Sequence, residues 1–278
     1  METEKDARRR AALARLRAEL GRDAAIDAAA PEAGHSLEQT GAPAWSLGAA
    51  GPDTAIGGGL ALAAVHEAVP ADARENGAAA GFAAALAARR LIGCSGEERP
   101  VLWCARRHGL AEAGALSGRG LAGLGLDPAA VLLASGRREI DVLWALEETA
   151  RSGAVALAVG AVESADLTAT RRLSLAAREQ AVPVLLLRSA RGLLPSAART
   201  RWRIRAAPSR PPRFARQAPG FPRWRIALEK GFAERAQDWV LEWDDEAHRF
   251  HMAAALADSA AEDGPGRAGG IGAFERAG

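Results

Sequence analysis

The stretch AVALAVGAVESADLTATRRLSLAAREQAVPVLLLR, residues 154–188, decides the fold. Two near-continuous apolar runs, AVALAV (154–159) and PVLLLR (183–188), stand on either side of a helix-length segment at 167–180. An apolar run without polar alternation is the signature of a strand buried on both faces, and a helix between two such strands is the crossover that a parallel pair requires. Upstream the same punctuation recurs in LAAVHEAV (62–69), PVLWCA (100–105) and AVLLAS (130–135), with helical stretches at 77–92, 110–124 and 138–152. Five buried strands alternating with helices predict an α/β fold built on a mostly parallel sheet covered on both faces.

After Arg188 the period changes to two. In TRWRIR (200–205) Arg201, Arg203 and Arg205 share one face, while Trp202 and Ile204 share the other. In PRWRIALE (222–229) Arg223 and Arg225 oppose Trp224, Ile226 and Leu228, and WVLEWDDEAHRFHMA (239–253) reads as two strands around a turn at 244–246. This alternation predicts a small antiparallel extension beginning at about residue 199, with a proline-rich loop at 206–221. Trp202, Trp224, Trp239 and Trp243 admit two readings, the buried face of that extension or a platform for stacked bases. Aromatic residues at alternate strand positions favour burial.

Charge adds a second signal. The 278 residues carry 36 Lys+Arg against 34 Asp+Glu, yet between Arg188 and Arg225 there is no acid and Arg recurs throughout. If the two Arg-bearing strands are neighbours, Arg201, Arg203, Arg223 and Arg225 form one plate with Arg199 and Arg210 at its edge. Such a plate suits an anionic partner, either DNA backbone or an acidic protein surface. Outside the core, assigned to 62–257, residues 1–20 read as an amphipathic helix with Ala11, Leu13, Leu16 and Leu20 near one face. Residues 21–61 read as a linker arm ending at Gly57-Gly58-Gly59, and 258–278 as a Gly- and acid-rich disordered tail in which Ile271 and Phe274 stand out.

Other chemistry is poorly represented. Cys94 and Cys104 are expected to be free thiols. His248 and His251, three apart in an extended segment, point to opposite faces and make an awkward pair for one metal. The motifs G-x-S-x-G, C-x-x-C and H-E-x-x-H are all absent. No window approaches the roughly 18 uninterrupted apolar residues of a membrane span, so the expected location is cytoplasmic.

The strand and helix order, with GLDPAAVLLAS (125–135) and ARSGAVALAV (150–159), resembles the RecA-like ATPase core over about 57–188. More specifically, GGGL…AAVHE (57–67), ADLTATRRLSLAAR (165–178), LPSAARTRWRI (194–204), PRWRIALEK (222–230) and LEWDDEAHRF (241–250) resemble the ImuA family, a RecA-related bacterial group often labelled SulA-like. RecA-like ATPases cradle phosphate in a GxxxxGK[ST] loop after the first strand. Here the loop is Pro70 to Gly77, without Gly-Lys-Ser/Thr, and Asp72 and Glu75 bring negative charge; Arg74 retains the capacity to meet an anion at the helix start. Gly160 stands where the magnesium-binding acid belongs, with Glu163 further on, and Cys104-Ala-Arg-Arg-His108 replaces the segment with the water-activating Glu.

The resemblance therefore implies a degenerate nucleotide loop (Asp72, Arg74, Glu75, Gly77), no catalysis, no cofactor and no metal. It implies a role in DNA-damage-induced translesion mutagenesis with ImuB, a polymerase-like protein, and an error-prone polymerase, and possible contacts with RecA or DNA. RecA-like proteins also grip their neighbours through a leading element, which makes residues 3–20 a candidate for self-association. The alternatives are a SulA-like division inhibitor and a nucleotide-sensing ATPase paralogue.

Overall fold

The computed structural model describes residues 43–94, 99–109, 116–191, 193–209, 220–231 and 237–253. The expectations for 1–20 and 258–278, and for Arg210, lie outside these residues. The strands are β1 (Ala44–Trp45), β2 (Leu60–Ala61), β3 (Val65–Pro70), β4 (Val101–Arg106), β5 (Val131–Gly136), β6 (Leu157–Val162), β7 (Val184–Arg188), β8 (Thr200–Ala206), β9 (Arg223–Lys230), β10 (Gln237–Asp244) and β11 (Arg249–Met252). The described helices are α1 (Ala50–Ala55), α2 (Asn76–Ile92), α3 (Gly118–Ala122), α4 (Glu139–Ser152) and α5 (Leu167–Gln180).

Nine strands form one sheet in the order β11-β10-β9-β8-β3-β7-β6-β4-β5. The pairs β8·β3, β3·β7, β7·β6, β6·β4 and β4·β5 are all parallel, whereas β9, β10 and β11 continue antiparallel. The parallel sheet with flanking helices and an antiparallel C-terminal extension is the expected RecA-like α/β architecture. One boundary moves: the extension becomes antiparallel at β9, because β8 runs parallel to β3 through His66↔Thr200 to Pro70↔Ile204. Period-two alternation reports that a strand has one wet face, and says nothing of its direction.

The two sheet faces have different covers. On one lies α2, whose Ala79, Ala83, Ala84, Ala85, Ala87 and Ala88 are buried around Phe82. Small side chains let this helix sit close to the sheet, and a helix apolar on nearly every side is a core helix. On the other face α4 and α5 pack through Val142, Leu143, Leu146, Leu173 and Ala177. Local chemistry punctuates both: Gly153 closes α4 at φ 67, and Asp166 caps α5 by accepting the Ala169 N–H at 2.7 Å.

Residues 43–61 depart from the linker reading. β1 and β2 pair antiparallel, and Trp45, Leu47, Ile56 and Leu60 join the α2-side core. Arg89 of α2 holds this segment by donating to the Ser46 carbonyl at 2.9 Å and reaches the His248 carbonyl at 3.2 Å. Gly and Pro in this stretch mark its turns, while its few large apolar residues carry its burial. β6 also starts three residues later than AVALAV, since 154–156 carry the chain from the α4 cap up to the sheet.

Candidate functional site: the carboxyl edge of the sheet and its arginine face

Open α/β sheets bind ligands at the carboxyl ends of their strands, above all where the strand order reverses. The β3–α2 connection stands at this edge. Asp72 accepts the Arg74 backbone N–H at 2.8 Å and caps a 3-10 turn over Ala73–Glu75. Glu75 accepts the Ala206 N–H at 2.8 Å, tying the loop to the end of β8. A phosphate loop turns successive backbone N–H groups toward its anion; here two carboxylates of the chain itself occupy the mouth of α2. Arg74 is exposed beside them, and Gly77 faces open space, with nothing within 4 Å of the point where a Cβ would stand.

The order reverses between β4 and β6. There Arg106, the last residue of β4, pairs with Glu163 and with Glu139 of α4, the latter at 3.2 Å from Nε. Glu139 also accepts the Ser164 N–H at 3.0 Å. This network joins β4, α4 and the exit of β6 across the crevice. Gly160 on β6 lies directly beneath Leu146, and a Cβ there would overlap the leucine side chain. Its smallness serves the approach of α4 to the sheet. No group of three or more His, Cys, Asp or Glu suited to a metal occurs among the described residues.

The arginine face forms as the periodicity predicts. β8 and β9 are neighbours, and Arg201, Arg203, Arg223 and Arg225 lie on the sheet face away from Trp202, Ile204, Trp224 and Ile226. Each of the four, however, has a carboxylate. Arg203 makes a bidentate pair with Glu229 at 2.7 and 3.0 Å, Arg225 meets Asp238 at 3.1 Å, and Arg223 pairs with Glu242. Glu242 also meets His251 at 3.1 Å. The expected plate is thus a lattice of ion pairs. Arg199 lies apart, at the start of β8, where burial and Arg178 lower its pKa. Arg205, which the expected plate did not include, is exposed and sits directly opposite Arg225 in the β8·β9 register.

Arg201 belongs to a deeper cluster that sequence reasoning missed. Glu67 of β3, fully buried, accepts from Arg188 at 2.6 Å and from Arg201 at 2.6 Å. Arg201 also donates to Ser196 Oγ at 3.1 Å, and Lys230 donates to the Ser196 carbonyl at 2.7 Å. Burial lowers the Lys230 pKa, opposed by the attraction of Glu67 and assisted by Arg201. The available signal was a Glu inside the apolar run VHEAV and an Arg closing VLLLR, since a charge within a buried strand needs a partner.

On the opposite sheet face His66 donates from Nε2 to the Ala61 carbonyl at 2.9 Å, and its Nδ1 accepts from Thr200 Oγ1 at 2.8 Å. Thr200 in turn accepts the Trp202 indole N–H at 3.0 Å. Burial drives the His66 pKa down to about 4. Burial likewise pushes the Cys104 thiol up to about 11, and both Cys94 and Cys104 are free. Trp202, Trp224 and Trp243 are buried, so they serve the core and offer no face to a base. No described helix is long and apolar enough to cross a membrane.

No family model matches the chain. Among curated proteins, Protein ImuA of Caulobacter vibrioides strain NA1000 / CB15N is 34% identical over 244 residues, covering 81% of this chain and 96% of that protein. Protein ImuA of strain ATCC 19089 / CIP 103742 / CB 15 matches at the same 34% identity over 244 residues. With that identity over nearly the whole relative, and with the parallel sheet and antiparallel extension in place, the chain belongs to the ImuA family.

Proposed function

We propose that this protein is a non-catalytic RecA-fold adaptor of DNA-damage-induced translesion mutagenesis, acting with an ImuB-type polymerase-like protein and an error-prone polymerase. The observation that carries the non-catalytic reading is the closed carboxyl edge: Asp72 and Glu75 stand at the mouth of α2, and Arg106 joins Glu139 and Glu163 across the crevice. Phosphate charge brought to the first position meets like charge. At the second, an arginine engaged by two acids stands where hydrolysis needs a carboxylate free to orient water. The fold then contributes surfaces. Membership of the ImuA family supports the pathway assignment.

The arginine face, including Arg199, Arg201, Arg203, Arg223 and Arg225, is the proposed contact for DNA or an acidic partner; Arg205 joins it because it is exposed and stands opposite Arg225 in the β8·β9 register. Self-association through residues 3–20 and contact with RecA complete the proposal.

The experiment is the ultraviolet-induced mutation frequency of a strain lacking the gene, complemented by the natural protein, by Arg74→Ala with Gly77→Ala, or by Arg205→Ala with Arg225→Ala. The adaptor reading expects loss of induced mutation on deletion and full rescue by the loop variant. Unchanged induced mutation on deletion refutes the pathway, and failure of the loop variant despite normal abundance refutes the non-catalytic reading. Failure of the Arg205/Arg225 variant, with normal abundance, supports the arginine contact; full rescue by it refutes that contact.

A further inference from the structure

Arg188 ends β7 at the carboxyl edge of the sheet, and its side chain is completely buried. One of its terminal nitrogens, Nη1, donates to Glu67 at 2.6 Å. Its other two nitrogens, Nε and Nη2, are buried without a hydrogen-bond partner among the described residues. These two N–H groups form the side of the guanidinium that points two parallel donors in one plane, the fork that carboxylate and phosphate oxygens accept in pairs. A buried donor left without an acceptor destabilises the fold, more so when it is charged.

Nothing close by on the sheet supplies the missing acceptors. On β6 the residue beside Arg188 is Val162, and on β3 the residue one step beyond the Ala68–Leu187 pair is Val69. The acids that follow the two neighbouring strands are committed elsewhere: Glu163, just past β6, to Arg106, and Glu75, in the turn after β3, to the Ala206 N–H. Glu67, the one carboxylate in the cluster, already receives both Arg188 and Arg201, and Lys230 lies within its field. The cluster therefore holds more positive charge than negative, and the excess falls on a buried bidentate fork that has no acceptor among the described residues.

We propose that Arg188 binds a small tetrahedral oxyanion of the phosphate class through Nε and Nη2. The depth of the side chain selects a free ion or the terminal phosphate of a small molecule and excludes the backbone of a duplex. The site is separate from the β3–α2 loop, whose carboxylates repel the same ligand, and it does not depend on the adaptor role proposed above.

The test uses the full chain and thermal melting in inorganic phosphate against chloride at equal ionic strength, with ADP as a parallel arm. Phosphate at ten times its dissociation constant raises the melting temperature by about 3 to 5 °C. The rise persists in Arg74→Ala and disappears in Arg188→Lys, which keeps the charge toward Glu67 and lacks the fork. A response to ADP at lower concentration than to phosphate assigns a nucleotide as the source, and a response to phosphate alone assigns the free ion. If Arg188→Lys does not fold, crystals of the natural protein soaked in selenate decide the matter: an anomalous peak within hydrogen-bond distance of Arg188 Nε and Nη2 upholds the site, and its absence overturns it. Equal phosphate responses in natural protein and Arg188→Lys, or none in either, also overturn it.

Discussion

Replacing Glu67 by Gln is the sharpest test of the buried cluster. The substitution keeps the shape and removes the one negative charge that faces Arg188, whose side chain is 0% exposed, and Arg201, whose side chain is 17% exposed. Removing one partner of a buried pair typically costs about 3 to 5 kcal/mol, since the surviving charge stays desolvated without compensation. At about 2 to 4 °C per kcal/mol for a domain of this size, the melting temperature falls by roughly 6 to 20 °C. Urea denaturation of Glu67→Gln, Arg201→Gln and the double variant measures the coupling. The double variant is expected to be less damaged than the sum of the single variants, because Arg201 has lost its partner already. A Glu67→Gln protein within about 1 kcal/mol of the natural one, or strict additivity in the cycle, would refute the claim that this carboxylate holds the two arginines.

Three further outcomes follow from the geometry. Gly160→Ala forces a Cβ against the buried Leu146 and is expected to cost about 1 to 3 kcal/mol by chemical denaturation, with part of that loss recovered when Leu146→Val is added; a neutral Gly160→Ala contradicts the packing argument. His66 is held neutral with a pKa of about 4 against an ordinary 6.5, so the unfolded chain binds the extra proton first. Stability is then unaffected by this group above pH 6.5 and falls as pH drops from 6.5 toward 4, by an order of 3 kcal/mol, and His66→Asn flattens that slope in denaturation curves taken between pH 7 and 4.5. If DNA is the partner of this face, the ion pairs of Arg203, Arg223 and Arg225 leave the exposed Arg205 as the principal phosphate contact, giving a log affinity against log salt slope near −1 by fluorescence anisotropy, whereas four independent arginines give about −3 to −4.

The degree to which each feature could be read in advance depended on how local its cause is. Helix α5 (Leu167–Gln180) matched the expected 167–180 because its cap, Asp166, and its end lie within the same short stretch. The arginine face was legible because alternation along a strand assigns sides without any knowledge of neighbours. That Trp202, Trp224 and Trp243 are core followed from the same alternation. Residues 43–61 were misread because their burial comes from α2 and the C-terminal turn, through contacts such as Arg89 with Ser46 and His248.

The amino-acid sequence by itself determined the alternation of buried strands and helices, the wet and dry faces of the C-terminal strands, and the absence of a GxxxxGK[ST] motif after the first buried strand. All of these are properties of residue type at fixed spacing along one chain. Only the tertiary structure decided that β8 joins the parallel sheet, that the arginine plate is neutralised by Glu229, Asp238 and Glu242, and that Arg188 carries a buried fork beside Glu67. The physical reason is that charge pairing and burial depend on which strands become neighbours. Glu67 and Arg201 stand 134 positions apart in the chain and 2.6 Å apart in the fold.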